Sequence, residues 1–164
     1  MKVGMFTGPL NDEPLKSVLD FAEYAGIPCL EVWAGPGSRH IDPARLTAAR
    51  AARIKVELAE RGIEMTSLAY YTMDLTDPKA TRRVQAHAKK CIDAAALLEV
   101  PVVCMLTGGP APDMSKHQTI TKILPKLFRP ILTHARKKGI RIALENYFES
   151  CLQGLDTFDA LFDA

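Results

Sequence analysis

No apolar run in this sequence is longer than a strand. A membrane-spanning helix needs about 20 predominantly apolar residues, so none is expected. A signal peptide is not expected either, because Lys2-Val3-Gly4-Met5-Phe6 already reads as a first strand. Cysteine is sparse. Cys29, Cys91, Cys104 and Cys151 are scattered without a CxxC pair, and two of them fall in strand-like apolar stretches, so they read as reduced core thiols. An excess of one charge is lacking too: 21 Lys and Arg stand against 19 Asp and Glu, a net charge of +2, with the signs well mixed. That leaves no basic stripe, and neither nucleic acid nor a membrane is expected as a partner. What remains is a chain of 164 residues, enough for one compact domain with its own core, with the cytoplasm as the expected compartment.

The pattern that is present alternates short apolar runs with amphipathic stretches. Strands are predicted at Lys2–Phe6, Pro28–Trp33, Ile63–Ala69, Val100–Leu106 and Ile140–Asn146. The first helix carries the stripe Leu15, Val18, Leu19 and Ala22, with Pro14 in its first turn, and stops at Gly26. Asp42-Pro43 is expected to open a second helix from about Ala44 to Arg61, and Thr76-Asp77-Pro78 to open a third in the same way. In that third helix Val84, Ala88, Cys91, Ala95 and Leu98 form the apolar face, and His87, among Arg82, Arg83, Lys89 and Lys90, is expected at the surface. A fourth helix from about Gln118 to Lys138 must be kinked or divided by Pro125 and Pro130. Leu155, Phe158, Leu161 and Phe162 begin a fifth.

The fifth strand carries the chemistry. It begins after Lys138-Gly139, a helix stop, and runs Ile140-Arg141-Ile142-Ala143-Leu144-Glu145-Asn146. Alternation puts Arg141, Ala143 and Glu145 on one face, with Glu145 at the C-terminal end, where parallel α/β folds place their sites. Capping the next loop, or pairing with a surface lysine, is the plainer role for that carboxylate. In the second strand Cys29, Glu31 and Trp33 share a face, so Glu31 either looks into a polar interior or forms an ion pair. The glycine-rich loop Gly35–His40 follows; His40 and Trp33 could line a substrate pocket, and a solvated loop histidine is the alternative. The aromatics of Tyr70-Tyr71-Thr72-Met73 could stack on a ligand or cover the barrel mouth, cover being the plainer role, and Thr107-Gly108-Gly109-Pro110 is a weak anion-binding signal.

Two architectures accommodate five βα units. A closed (β/α)8 barrel typically needs about 250 residues, so the chain would be part of one. A five-stranded doubly wound sheet of the flavodoxin type suits the length without anything missing.

The order of Leu30-Glu31-Val32-Trp33 with its loop and His40, Leu58–Ile63, Cys91–Leu98 and Lys138–Asn146 resembles the sugar phosphate isomerase/epimerase family, which shares the xylose isomerase-like TIM barrel. The ending Leu144-Glu145-Asn146 is the most specific element. The resemblance implies a partial barrel over residues 1–164 as a single domain, its N-terminal part. It implies a metal-dependent isomerase or epimerase that moves a proton next to a carbonyl of a sugar or sugar phosphate. Glu145 would be both a ligand of Mn²⁺, Mg²⁺ or Zn²⁺ and an acid/base carboxylate, with Glu31, Trp33 and His40 around the substrate. The family's further ligands, an acid, a histidine and a second glutamate from later strands, have no counterpart here, so the chain alone is expected to be inactive and to bind no metal. Glu149 is a candidate second acid. Related DNA-repair endonucleases of the same superfamily place metal-binding histidines after strands three and four; Ala69-Tyr70-Tyr71 and Leu106-Thr107-Gly108 offer none. A competing expectation is a non-catalytic assembly or binding module that self-associates through exposed strand edges.

Overall fold

Five short strands, β1 (Gly4–Phe6), β2 (Cys29–Trp33), β3 (Glu64–Tyr70), β4 (Val102–Met105) and β5 (Arg141–Leu144), line up in chain order in the computed structural model, which describes residues 2–164. Every neighbouring pair is parallel. Each crossover thus steps one position in the same direction, and right-handed connections then place all the helices on one side. A flavodoxin-type sheet has the order 2-1-3-4-5 and helices on both faces. The observed order excludes it and gives a five-strand arc of a (β/α) barrel.

The helices are α1 (Leu15–Tyr24), α2 (Ala48–Glu60), α3 (Thr81–Leu98), α4 (Lys116–Lys122), α5 (Leu124–Lys138) and α6 (Leu155–Phe162). Pro125 lies in the first turn of α5, where a missing N–H costs nothing, so the expected fourth helix is divided there. Gly139 (φ +70°) ends α5, its N–H returning to Ala135 and Arg136. Two helix starts differ from expectation. Asp42 Oδ1 accepts from the Ala44 N–H at 3.0 Å, a tight turn of its own, and α2 begins only at Ala48, where Thr47 Oγ1 accepts from Arg50 N–H at 3.2 Å. Asp77 Oδ1 likewise accepts from Lys79 N–H at 2.9 Å, and α3 starts at Thr81. In both cases the short Asp side chain satisfies a turn ahead of the helix instead of the helix itself.

The core lies between sheet and helices. Leu30, Val32, Leu68, Val103 and Met105 point outward from the strands into the buried faces of α1, α2, α3 and α5. One irregularity sets the other face. Leu30 pairs with Met65, yet Glu31 pairs with Ser67, so Thr66 is an extra residue in β3. That bulge shifts the phase of alternation and brings Ser67, then Ala69 and Tyr71, onto the concave side with Glu31 and Trp33.

His87 is a correction. It is buried, 8 % exposed, with Nε2 on the Ala34 carbonyl at 2.8 Å and its ring 4.4 Å from that of Tyr70. It stands at i+3 from Val84 and i−4 from Cys91, inside the apolar stripe, so the flanking cations cannot bring it to the surface.

Candidate functional site

Alternation along the strands carries Phe6, Glu31, Tyr71, Leu106 and Glu145 to the concave face at the C-terminal ends of the strands. There they line one cavity of about 460 Å³, together with Glu149 from the loop after β5. Glu31 is its organised centre. Ser67 donates to Glu31 Oε2 at 2.7 Å and the Tyr71 hydroxyl to Oε1 at 2.6 Å, and none of the ion pairs among the described residues involves Glu31. Of the two expectations for Glu31, the structure gives the polar interior. Each of its oxygens keeps a lone pair for a ligand hydroxyl. Burial, then Glu145 and Glu31, raise the Tyr71 pKa far above that of a free phenol, so this group stays a proton donor. Burial and Glu31 also push the Cys104 thiol up to about 12, which keeps it neutral.

Glu145 lies exposed on the same face, its backbone N–H donating to the Met105 carbonyl at 3.0 Å, which extends the β4–β5 ladder by one residue. It makes no ion pair among the described residues, and no lysine claims it. Trp33 does not itself line the cavity but packs behind two residues that do: its ring is 6.3 Å from Phe6 and 6.5 Å from Tyr71, and Phe6 meets Tyr71 edge-on at 5.4 Å. The Trp33 ring lies over the Gly35 backbone so closely that a Cβ there would come within 2.2 Å of it. Gly35→Ala therefore displaces the Trp33 ring, and the intrinsic fluorescence of this single tryptophan reports it; an unchanged spectrum would contradict the packing.

His40 stands elsewhere. It is 0 % exposed and absent from the cavity lining, with Nε2 on the Leu10 carbonyl at 3.0 Å and Nδ1 3.0 Å from Thr7 Oγ1. The carbonyl requires a proton on Nε2, so Nδ1 accepts from the Thr7 hydroxyl, which itself accepts from the Trp33 N–H at 2.9 Å. His40 thus acts on the site only through Thr7 and the end of β2.

Burial lowers the pKa of both His40 and His87 below the ordinary 6.5. Each is neutral in the fold and binds a proton more readily once unfolded. Their stabilisation is therefore complete above about pH 6.5 and lost as pH falls below it, at about 1.4 kcal/mol per pH unit for each until its folded pKa is reached. Urea midpoints taken from about pH 7 to pH 5 should fall accordingly, and His40→Asn should flatten the slope; an unchanged slope would rule out His40 as a source.

The sequence offers Tyr71 only as a stacking or covering aromatic, not as the hydroxyl that holds Glu31. The signal was available in the alternation Ser67, Ala69, Tyr71, which puts the phenol on the face of a buried carboxylate. As for a metal, Glu145 offers a hard oxygen donor suited to a divalent cation. The chain's residues nevertheless do not amount to a full centre: among the described residues no three His, Cys, Asp or Glu side chains cluster to hold an ion.

A family model described as xylose isomerase-like TIM barrel matches residues 19–164. Among solved structures, D-psicose 3-epimerase with D-tagatose from Clostridium cellulolyticum H10 aligns with TM-score 0.69 at 17 % identity over 98 % of this chain and 60 % of its own. A xylose isomerase-like TIM barrel protein from Mycobacterium smegmatis in complex with magnesium aligns with TM-score 0.67 at 17 % identity over 93 % of this chain and 54 % of its own. The structure described as the probable 3-DHS dehydratase AsbF of Bacillus anthracis gives TM-score 0.76 at 15 % identity, 99 % of this chain and 58 % of its own. At such identities the likeness shows the fold, and the chain spans between 54 % and 60 % of the length of these structures. No curated protein matches the sequence. Among the described residues no helix is long and apolar enough to cross a membrane.

Proposed function

Because the chain belongs to the xylose isomerase-like TIM barrel family, we propose that it carries the first five βα units of a metal-dependent isomerase or epimerase acting on a sugar or sugar phosphate. The observation that supports this most directly is the meeting of Glu31, Tyr71 and Glu145 in one cavity at the C-terminal ends of parallel strands. Glu145, in no ion pair among the described residues, is the group that takes the proton from the carbon next to a substrate carbonyl and returns it. Glu31, fixed by Ser67 and Tyr71, accepts a substrate hydroxyl and so orients the carbon chain toward Glu145. Phe6, held from behind by Trp33, gives the site an apolar wall against the carbon skeleton. A divalent cation, Mn²⁺, Mg²⁺ or Zn²⁺, would take Glu145 as one ligand and supply polarisation of the carbonyl; its other ligands come from outside these residues. The chain alone is then inactive, and a polypeptide that closes the barrel is required.

Ketose isomerisation, assayed with the chain completed by further βα units, tests the proposal. Turnover that depends on an added divalent cation is expected; absence of turnover with every ketose and ketose phosphate tried would sink it.

The free edges of β1 and β5 favour a second reading, a non-catalytic assembly module that associates with itself. Sedimentation of the chain alone separates the two: concentration-dependent association without any metal requirement favours the module.

A further inference from the structure

A groove of about 400 Å³ lies on the outer side of the helical layer, between α3 and α5. Beside α3 packs α2, and under α5 packs β5. The groove is therefore inside the arc, whereas units that close the barrel add beyond β5 and beside β1.

Its two walls are fastened at both ends. At one end Gln85 Nε2 of α3 donates to the Leu127 carbonyl of α5 at 2.8 Å. At the other, Asp93 Oδ1 of α3 holds His134 Nε2 at 3.0 Å and Lys138 Nζ at 2.9 Å. Gln85, Lys89 and Asp93 follow one another at i, i+4 and i+8, so Lys89 stands on the same line of α3, midway between the fastenings. Lys89 is half-buried there. Facing it on α5, Lys126, Pro130, Thr133 and Lys137 recur at i, i+4, i+7 and i+11, with Arg129 alongside. No acid lines the groove, and none of Lys89, Lys126, Arg129 and Lys137 is in an ion pair among the described residues. The one carboxylate nearby, Asp93, is taken by His134 and Lys138, which leaves a partly desolvated ammonium without compensation.

We propose that this groove binds an oligophosphate, a chain of several phosphoryl groups whose oxygens accept from the lysine and arginine N–H groups. Two features select that class. Lysine and arginine only donate, so the ligand's polar atoms must be acceptors, and charge-assisted bonds to an oxyanion are the strong ones. The line from Lys126 to Lys137 covers about 16 Å along α5, so the complementary charge is spread along the ligand and not gathered in one phosphate. The site stands apart from the carboxylate cavity and does not depend on the function proposed for it.

Calorimetric titration of the whole chain with sodium tripolyphosphate at fixed ionic strength tests it. One saturable site is expected, and it should weaken as salt rises. Lys89→Met, which keeps the apolar stem, and the pair K126A/K137A should each weaken binding about tenfold or more. The pair R45A/R53A, which removes the same charge from exposed positions elsewhere, should leave it unchanged. Equal losses in all three variants would reduce the effect to net charge and overturn the site. So would the absence of saturable binding, or binding of a single-stranded oligonucleotide or a polyglutamate peptide where tripolyphosphate fails.

Discussion

Glu145→Gln, in a chain completed to a closed barrel, is expected to lower ketose isomerisation by about 10²–10⁴-fold, the usual loss when a positioned acid/base group is removed. The amide keeps the shape and the exposed position of the carboxylate, and the backbone N–H to Met105 is untouched, so the fold should not change. Affinity for the divalent cation should fall in parallel, because an amide oxygen is a weaker ligand than a carboxylate. Two controls locate the effect. Glu149→Gln separates the strand-end acid from the loop acid in the same cavity. Tyr71→Phe removes one of the two hydrogen bonds on Glu31 and is expected to cost about 10–100-fold through orientation alone, the range of a hydrogen bond to a charged group. Full turnover in Glu145→Gln, or a loss confined to Glu149→Gln, would remove Glu145 from the chemistry.

Leu68→Ala is expected to destabilise the fold by about 2–5 kcal/mol, the cost of a cavity where a fully buried leucine stood. Leu68 is 0 % exposed, and it sits between Val32 and Val103 in the central register row of the sheet. A domain of ordinary stability has about 5–15 kcal/mol to lose, so the urea midpoint should drop by a large fraction. The exposed Leu97 on α3 provides the contrast, since its truncation should change the midpoint little. Equal effects at the two positions would mean that the core does not lie between sheet and helices as described.

The βα order was legible because buried parallel strands read as short apolar runs and the helices as 3.6-residue stripes. The position of Glu145 followed from the same alternation. Glu31 was legible as a problem, an acid in mid-strand, whereas its solution was not: Ser67 and Tyr71 reach it across 36 and 40 residues of sequence, and only the pairing of β2 with β3 reveals them. His40 misleads in sequence because a glycine-rich loop suggests openness. The chain folds that loop back on Leu10 and Thr7 and closes the imidazole off. The helix starts at Ala48 and Thr81 were misplaced for a related reason, as an Asp-Pro pair caps a turn as readily as a helix.

The extra residue at Thr66 has a consequence for how this scaffold tolerates change. Removing it would leave Met65 opposite Leu30 and Ser67 opposite Glu31 in strict alternation. Leu68 and Tyr70 would keep their places against the helical layer and Tyr71 its place in the lumen. The strand thus holds one residue in reserve: losing Thr66 straightens it without exchanging its faces, whereas one residue lost from β2, which has no such reserve, would interchange lumen and lining from that point to the loop.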